Sequence, residues 1–242
     1  MKRSERENPW VLGLTGPSGS GKSTVCALLR AGDFGESLRL IDADLVARQV
    51  VEPGSLCLEK LTEVFGRDIL LPGGGLDRRK LGGLVFGDAA RVEKLNHTIL
   101  PFIVEEIARQ IQAYSQEEGV KGIILDAPTL FESGADRMCG LIASVLAPRE
   151  LRVERICARD GISREAAEKR LNSQLPDSFY RLHSQFVLWN GAHRQRLERE
   201  IFRMALWLGL FPQRERLFCR RRQRHRTQNS GPRKGNLTTF GR

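Results

Sequence analysis

The residues best suited to chemistry lie near the start of the chain, in Trp10-Val-Leu-Gly-Leu-Thr-Gly-Pro-Ser-Gly-Ser-Gly-Lys-Ser-Thr24. Gly16 to Ser23 spells G-x-x-x-x-G-K-S/T, a pattern whose chemistry is the holding of phosphate groups. Glycines at 16, 19 and 21 remove the side chains that would block an approaching anion. Backbone N–H groups of the loop, with a helix N-terminus behind them, then form an anion cradle. Ser20 and Thr24 belong to the stretch predicted to wrap the phosphates. Lys22 would add a point charge on the β- and γ-phosphates, and the Ser23 hydroxyl would be a ligand for Mg²⁺. The context supports the pattern: an apolar run, Trp10 to Leu14, precedes it, and Val25, Leu28 and Leu29 follow at helical spacing. Strand, loop and helix together predict a nucleoside triphosphate site.

Carboxylates at strand ends come next. Ser37-Leu-Arg-Leu-Ile-Asp-Ala-Asp44 is a short apolar run ending in two acids, and Gly122-Ile-Ile-Leu-Asp126 is a second ending in one. In a doubly wound sheet, the carboxyl ends of strands are where ligands bind. Asp42 and Asp44 would share a face if extended. A helix N-cap is an equally good reading of Asp42. Asp126 is expected to face the Mg²⁺ region, directly or through water. The segment Ala-Pro128-Thr-Leu-Phe-Glu132 breaks the strand and suits a substrate-pocket wall. Farther on, Arg152, Arg155 and Arg159 fall at spacings of three and four, on one helical face. Two readings stand for these arginines: a lid that closes cations over the phosphates, or a solvated helix with ion pairs to Glu154 or Asp160.

These residues need elements to position them. Strands are predicted at about 10–14, 38–41, 123–126, 141–146 and 186–189, alternating with helices, which implies a parallel sheet covered on both faces. The fold class is α/β, a P-loop kinase-type fold with a five-stranded parallel sheet, a helical substrate insertion and a lid. Residues 1–45, 119–148 and 176–208 form the nucleotide-binding core on this reading. Residues 46–118 form a helical insertion for the acceptor, 149–175 an arginine-rich lid, and 209–242 a basic tail. Leu58, Leu61, Val64 and Phe65 keep helical spacing in the insertion, as do Phe102, Ile103, Ile107 and Ile111. Pro101 suits the first turn of the last of these helices.

Composition narrows the class. The 242 residues are 40% apolar, enough for a sizeable core. No run of about 18 apolar residues suggests a membrane span, and the charged N-terminus does not read as a secretory signal. Five scattered cysteines suggest neither a disulfide framework nor a zinc site, so a cytoplasmic setting is expected. Of the net charge of +10, +9 falls between Gly209 and Arg242, with ten Lys/Arg against one Glu. The core is therefore nearly neutral, and no nucleic-acid role is expected for it. Arg220-Arg-Arg-Gln-Arg-His-Arg226 suits either a solvated tail or an acidic partner. The residues lack the N-K-x-D guanine motif of GTPases and the length or repeats of a motor. They point to an ATP-dependent kinase of a small acceptor. A nucleotide-dependent nucleic-acid-binding protein is the alternative outside enzymes.

A closer resemblance lies in Ile41-Asp-Ala-Asp-Leu-Val-Ala-Arg-Gln-Val-Val-Glu-Pro-Gly54, Phe65-Gly66, Gly75-Leu-Asp-Arg-Arg-Lys-Leu81, Leu95-Asn96, Pro128-Thr-Leu-Phe-Glu132, Arg155-x-x-x-Arg159-Asp160 and Asn190-Gly191. With the phosphate loop, these resemble dephospho-CoA kinases over roughly residues 10 to 205. The resemblance implies phosphorylation of the ribose 3′-hydroxyl of dephospho-CoA, with ATP and Mg²⁺, as the last step of coenzyme A synthesis. Asp44 would then accept or orient the hydroxyl proton, Arg78 would contact the acceptor, and Arg155 and Arg159 would lie in the lid. Other small P-loop kinases, acting on nucleosides, nucleotides or sugars, are the alternative. The chain departs from the family at Leu100-Pro101, where His-Pro is common, and at Ser184-Gln185, where Ala-Asp is common.

Overall fold

The computed structural model describes residues 8–31, 35–85, 87–191 and 193–210. The tail predicted for 209–242 therefore lies, from 211 onward, outside the described residues. The chain divides into two units, Met1–Ile201 and Phe202–Arg242. In the first, five parallel strands stand in the order β2-β3-β1-β4-β5: β1 (Trp10–Thr15), β2 (Leu38–Asp42), β3 (Gly122–Asp126), β4 (Leu141–Leu146) and β5 (Phe186–Trp189). The predicted strands match these to within a residue or so.

The strands read as apolar runs because both faces are covered. In β1, Leu12 and Leu14 are fully buried on one face, while Val11 faces the opposite cluster of Ile41, Ile107, Ile123, Leu125, Leu130 and their neighbours. Gly13 lies on the second face, where an added Cβ would come within 2.7 Å of Leu130 and 2.9 Å of Cys139. At the strand starts Trp10 pairs in register with Gly122, and the indole ring occupies the space a Cβ there would need. At the start of β5, Gln185 Oε1 accepts from Ile142 N at 2.7 Å, and Ser184 and Ser144 share a 2.6 Å hydroxyl hydrogen bond.

Helices connect the strands: α1 (Lys22–Ala31), α2 (Ala43–Gln49), α3 (Leu56–Phe65), α4 (Arg78–Val85), α5 (Ala89–Gln116), α6 (Arg149–Asp160), α7 (Arg164–Asn172), α8 (Asp177–Leu182) and α9 (Arg194–Trp207). The second unit's described residues, 202–210, continue α9 to Trp207 and a short turn. Two satellite cores lie apart from the sheet core. Val51, Cys57, Leu61, Ile69 and Leu81, with Phe65, Leu95, Ile99 and Phe102, form the first. Val153, Ile156, Ala167 and Leu171 form the second, between α6 and α7.

One expectation is corrected. Pro101 does not open a helix; it sits inside the 28-residue α5, whose N-cap is Asp88. Interior proline costs about 3 kcal/mol, and double service outweighs it: α5 gives Leu95, Ile99 and Phe102 to the insertion core and Ile103, Ile107 and Ile111 to the sheet. No described helix is long and apolar enough to cross a membrane.

Gly122→Ala puts a Cβ 2.2 Å from the Trp10 ring. Overpacking of this kind costs about 1–3 kcal/mol, so Tm in a thermal melt should fall by several degrees. An unchanged Tm would show that the indole swings out freely.

Candidate active site

The site grows from the carboxyl ends of three neighbouring strands. β1 delivers the glycine loop, and α1 begins at Lys22, so the helix N-terminus lies directly behind it. Gly16, Gly19 and Gly21 have φ of 137°, 74° and 93°, a region that side-chain-bearing residues rarely adopt. Steric crowding adds a second reason at each position. A Cβ on Gly16 would meet Val145 O at 2.2 Å, one on Gly19 Arg152 O at 2.7 Å, and one on Gly21 the Asn190 side chain at 2.0 Å.

β2 and β3 bring their terminal acids side by side: Asp42 and Asp126 are register partners. A cleft of about 530 Å³ is lined by the loop residues Ser18, Gly19, Gly21, Lys22 and Ser23. Asp42, Asp44, Asp126, Pro128, Arg155 and Arg159 complete its wall. The structure thus brings Lys22, Ser23, Asp44, Asp126, Pro128, Arg155 and Arg159 together in one cleft. Ser20 is buried beneath the loop, and Thr24 is exposed in the first turn of α1. Asp42 and Asp44 do not share a strand face, because β2 ends at Asp42. There Asp42 caps α2, accepting from Asp44 N at 2.9 Å and Leu45 N at 3.1 Å. Capping and cleft-lining are both true of Asp42.

Burial and charge compete at the floor. Burial lowers the pKa of Lys22, while Asp126 and then Asp44 pull it the other way. Its Nζ donates to Gly16 O at 3.0 Å. Burial raises the pKa of Asp126, and the Lys22 charge opposes the rise. Asp126 Oδ2 accepts from the Cys26 thiol at 3.4 Å, whereas Oδ1 is buried without a hydrogen-bond partner. Burial, then the Asp126 charge, pushes the Cys26 thiol well above its ordinary range, so it stays a neutral donor.

The three arginines of α6 take different roles, which corrects the single lid face expected for them. Arg152 is buried and pairs with Asp177 at 3.0 Å. Arg155 Nη1 donates to Gly19 O at 3.0 Å and Ser20 O at 3.4 Å. Arg159 lines the cleft while pairing with Asp160, which also binds Arg170. Hydrogen bonds from Arg159 and then Arg170 hold the Asp160 carboxyl down to about 2. Residue pattern alone gave no reason to single out Cys26, Ser18 or Gln174. Gln174 and Ser18 meet across 156 residues of chain, a pairing no local signal reveals.

A second cavity, of about 950 Å³, opens on α5. Ala89, Val92, Leu100, Pro101 and Val104 give it apolar walls, and Asn96, His97 and Glu132 give it polar ones. Glu132 therefore lies in this cavity and Pro128 in the phosphate cleft, at opposite ends of one short segment. Leu100 lines the cavity, as does His97 about one turn earlier. Arg78 is exposed at the start of α4 and lines neither space.

Gly21→Ala would force a Cβ against Asn190 in a backbone conformation alanine resists. Nucleotide affinity, measured by titrating a fluorescent ADP analogue, should fall about 5- to 160-fold for a distortion of 1–3 kcal/mol. Wild-type affinity would mean that the loop can shift without harm.

A family model described as dephospho-CoA kinase matches residues 10–196. The dephospho-CoA kinase of Bdellovibrio bacteriovorus is 40% identical over 200 residues, which span 82% of this chain and 96% of the relative. That of Enterococcus faecalis is 35% identical over 191 residues, 79% of this chain and 93% of the relative. Among solved structures, a Thermus thermophilus protein superposes with a TM-score of 0.70 at 32% identity, covering 83% of this chain and 97% of that one. A dephospho-CoA kinase from Campylobacter jejuni gives 0.60 at 27% identity, covering 81% and 95%. The chain belongs to the dephospho-CoA kinase family.

Proposed function

We propose that this member of the dephospho-CoA kinase family transfers the γ-phosphoryl group of ATP to the ribose 3′-hydroxyl of dephospho-CoA, giving coenzyme A. The observation that carries the reading is convergence. A glycine cradle, Lys22, the strand-end carboxylates Asp42 and Asp126, Asp44 in the first turn of α2 and two arginines line one cleft, beside a larger, mostly apolar-walled cavity on the helical insertion.

Phosphoryl transfer asks the protein for positioning and for charge placed where the phosphate charge develops. The backbone N–H groups of residues 16–24 and the α1 N-terminus bind the phosphates, and Lys22 adds its charge. Arg159 reaches the transferring group by exchanging part of its bond with Asp160 for phosphate oxygens. Asp44, exposed on the cleft wall, accepts a hydrogen bond from the acceptor hydroxyl and takes its proton as transfer proceeds. Asp126 and the Ser23 hydroxyl would hold Mg²⁺, which supplies charge neutralisation when bound; the unpartnered buried Oδ1 of Asp126 fits a hard cation with one or two protein ligands.

The acceptor's neutral, chain-like part suits the larger cavity, whose lining carries Asp88, Glu93 and Glu132 and no Lys or Arg. The acceptor's phosphates therefore belong nearer the cleft. Arg78 is assigned to the acceptor on the family resemblance. The four described cysteines are free thiols, which suits a reducing, cytoplasmic compartment.

Mass spectrometry of dephospho-CoA after incubation with the protein, ATP and Mg²⁺ should show a gain of one phosphate. Lys22→Ala should lower turnover at least about 100-fold, as for loss of one charge-stabilising donor. Asp44→Asn should lower it about 100- to 10,000-fold, with nucleotide binding kept. No product from folded, nucleotide-binding protein would defeat the acceptor assignment, and a fully active Asp44→Asn would remove that residue from the mechanism.

A further inference from the structure

We propose that Gln174 and Asn190 are positioning residues for the phosphate loop, fixing from outside which way its peptide groups face. The inference rests on reading that loop as the nucleotide site. A peptide unit carries a donor on one edge and an acceptor on the other, so a cradle works only if the carbonyls are turned away from the anion. Three loop glycines at positive φ give this segment little intrinsic preference for one orientation over its flip. Something outside the loop must choose.

Side chains from two separate parts of the chain make that choice. Gln174, just past the end of α7, accepts from Ser18 N at 2.9 Å through Oε1 and donates to Ser18 Oγ at 3.1 Å through Nε2. A carboxamide suits this partner because it offers an acceptor and a donor together, without a charge. Asn190, just past β5, donates from Nδ2 to Ser20 O at 2.8 Å. It is buried and held in turn by its own N–H, bonded to Leu146 O at 2.7 Å. Arg155, already placed at the site, holds Gly19 O between them. Three consecutive residues, Ser18, Gly19 and Ser20, are thus gripped by three side chains. The carbonyls of Gly19 and Ser20 are held on the side of Arg155 and Asn190.

Gln174 also ties α7 to the loop crest, as Arg155 ties α6 to it. The helix pair and the cradle therefore share one frame, and Arg159 approaches the phosphates from a base fixed to the loop itself.

The test is calorimetric titration of ADP into the full chain, with steady-state kinetics, for Gln174→Met, Asn190→Ala, Ser18→Ala and the Gln174→Met/Ser18→Ala pair. Loss of one or two such hydrogen bonds should weaken ADP binding and raise KM for ATP about 5- to 30-fold, leaving KM for the acceptor unchanged. The double variant should be no weaker than Gln174→Met, because the shared bond is already gone. A side chain that only fills space would be served as well by methionine, so wild-type ADP affinity in Gln174→Met and Asn190→Ala overturns the inference. Strictly additive losses in the double variant overturn it for Gln174. Should Gln174→Met fail to fold, Ser18→Ala and Asn190→Ala carry the same readout. Wild-type protein that binds no ADP would instead overturn the nucleotide-site reading beneath it.

Discussion

The structure depends on a tight fit between the phosphate loop and backbone from elsewhere in the chain. Gly16 lies against the carbonyl of Val145 in β4, Gly19 against the carbonyl of Arg152 in α6, and Gly21 against the Asn190 side chain after β5. None of these contacts leaves room for a methyl group. Backbone cannot recede as a side chain can, so at Gly16 and Gly19 the loop's path is set by the packing of β4 and α6. A cradle fixed in this way loses little freedom when an anion binds, and binding energy is left for aligning the reacting groups.

The second organising feature is balance of charge. The cleft lining carries Lys22, Arg155 and Arg159 against Asp42, Asp44 and Asp126, three of each sign. Burial works against both signs at the floor, lowering the pKa of Lys22 and raising that of Asp126. One carboxylate oxygen of Asp126 is buried without a hydrogen-bond partner, which is costly to hold. The neutral Cys26 thiol satisfies the other oxygen of Asp126.

Division into separate apolar cores lets these parts do different work. The insertion and the α6–α7 pair each bury their own cluster, apart from the one under the sheet. α5 joins the sheet core to the insertion core, and its proline removes the N–H that would bond the carbonyl of His97. That break falls on the wall of the larger cavity. The α6–α7 pair is anchored at its base by Arg152–Asp177 and by the bonds of Arg155 and Gln174 to the loop. Its outer arginines stay paired to Asp160 on the surface.

Much of this was legible in the residues alone. The strands announced themselves as apolar runs because a parallel sheet is buried on both faces, and the phosphate loop did so because glycine spacing reflects backbone geometry. Asp44, Asp126, Lys22 and Ser23 could be placed because strand ends and helix starts are local features with fixed chemistry. Tertiary structure decided what local pattern cannot carry. Helical spacing put Arg152, Arg155 and Arg159 on one face, but only packing shows that Arg152 is buried on Asp177 while its neighbours turn to the cleft. Alternation suggested that Asp42 and Asp44 share a strand face, until the helix beginning at Ala43 made Asp42 its cap. Pro101 read as a helix start because proline is costly inside a helix, a cost that two cores along α5 outweigh. The grip of Gln174 on Ser18 and the lodging of Asn190 against Gly21 join residues more than 150 positions apart. Such contacts leave no periodicity or spacing to read, since they exist only once distant segments have packed.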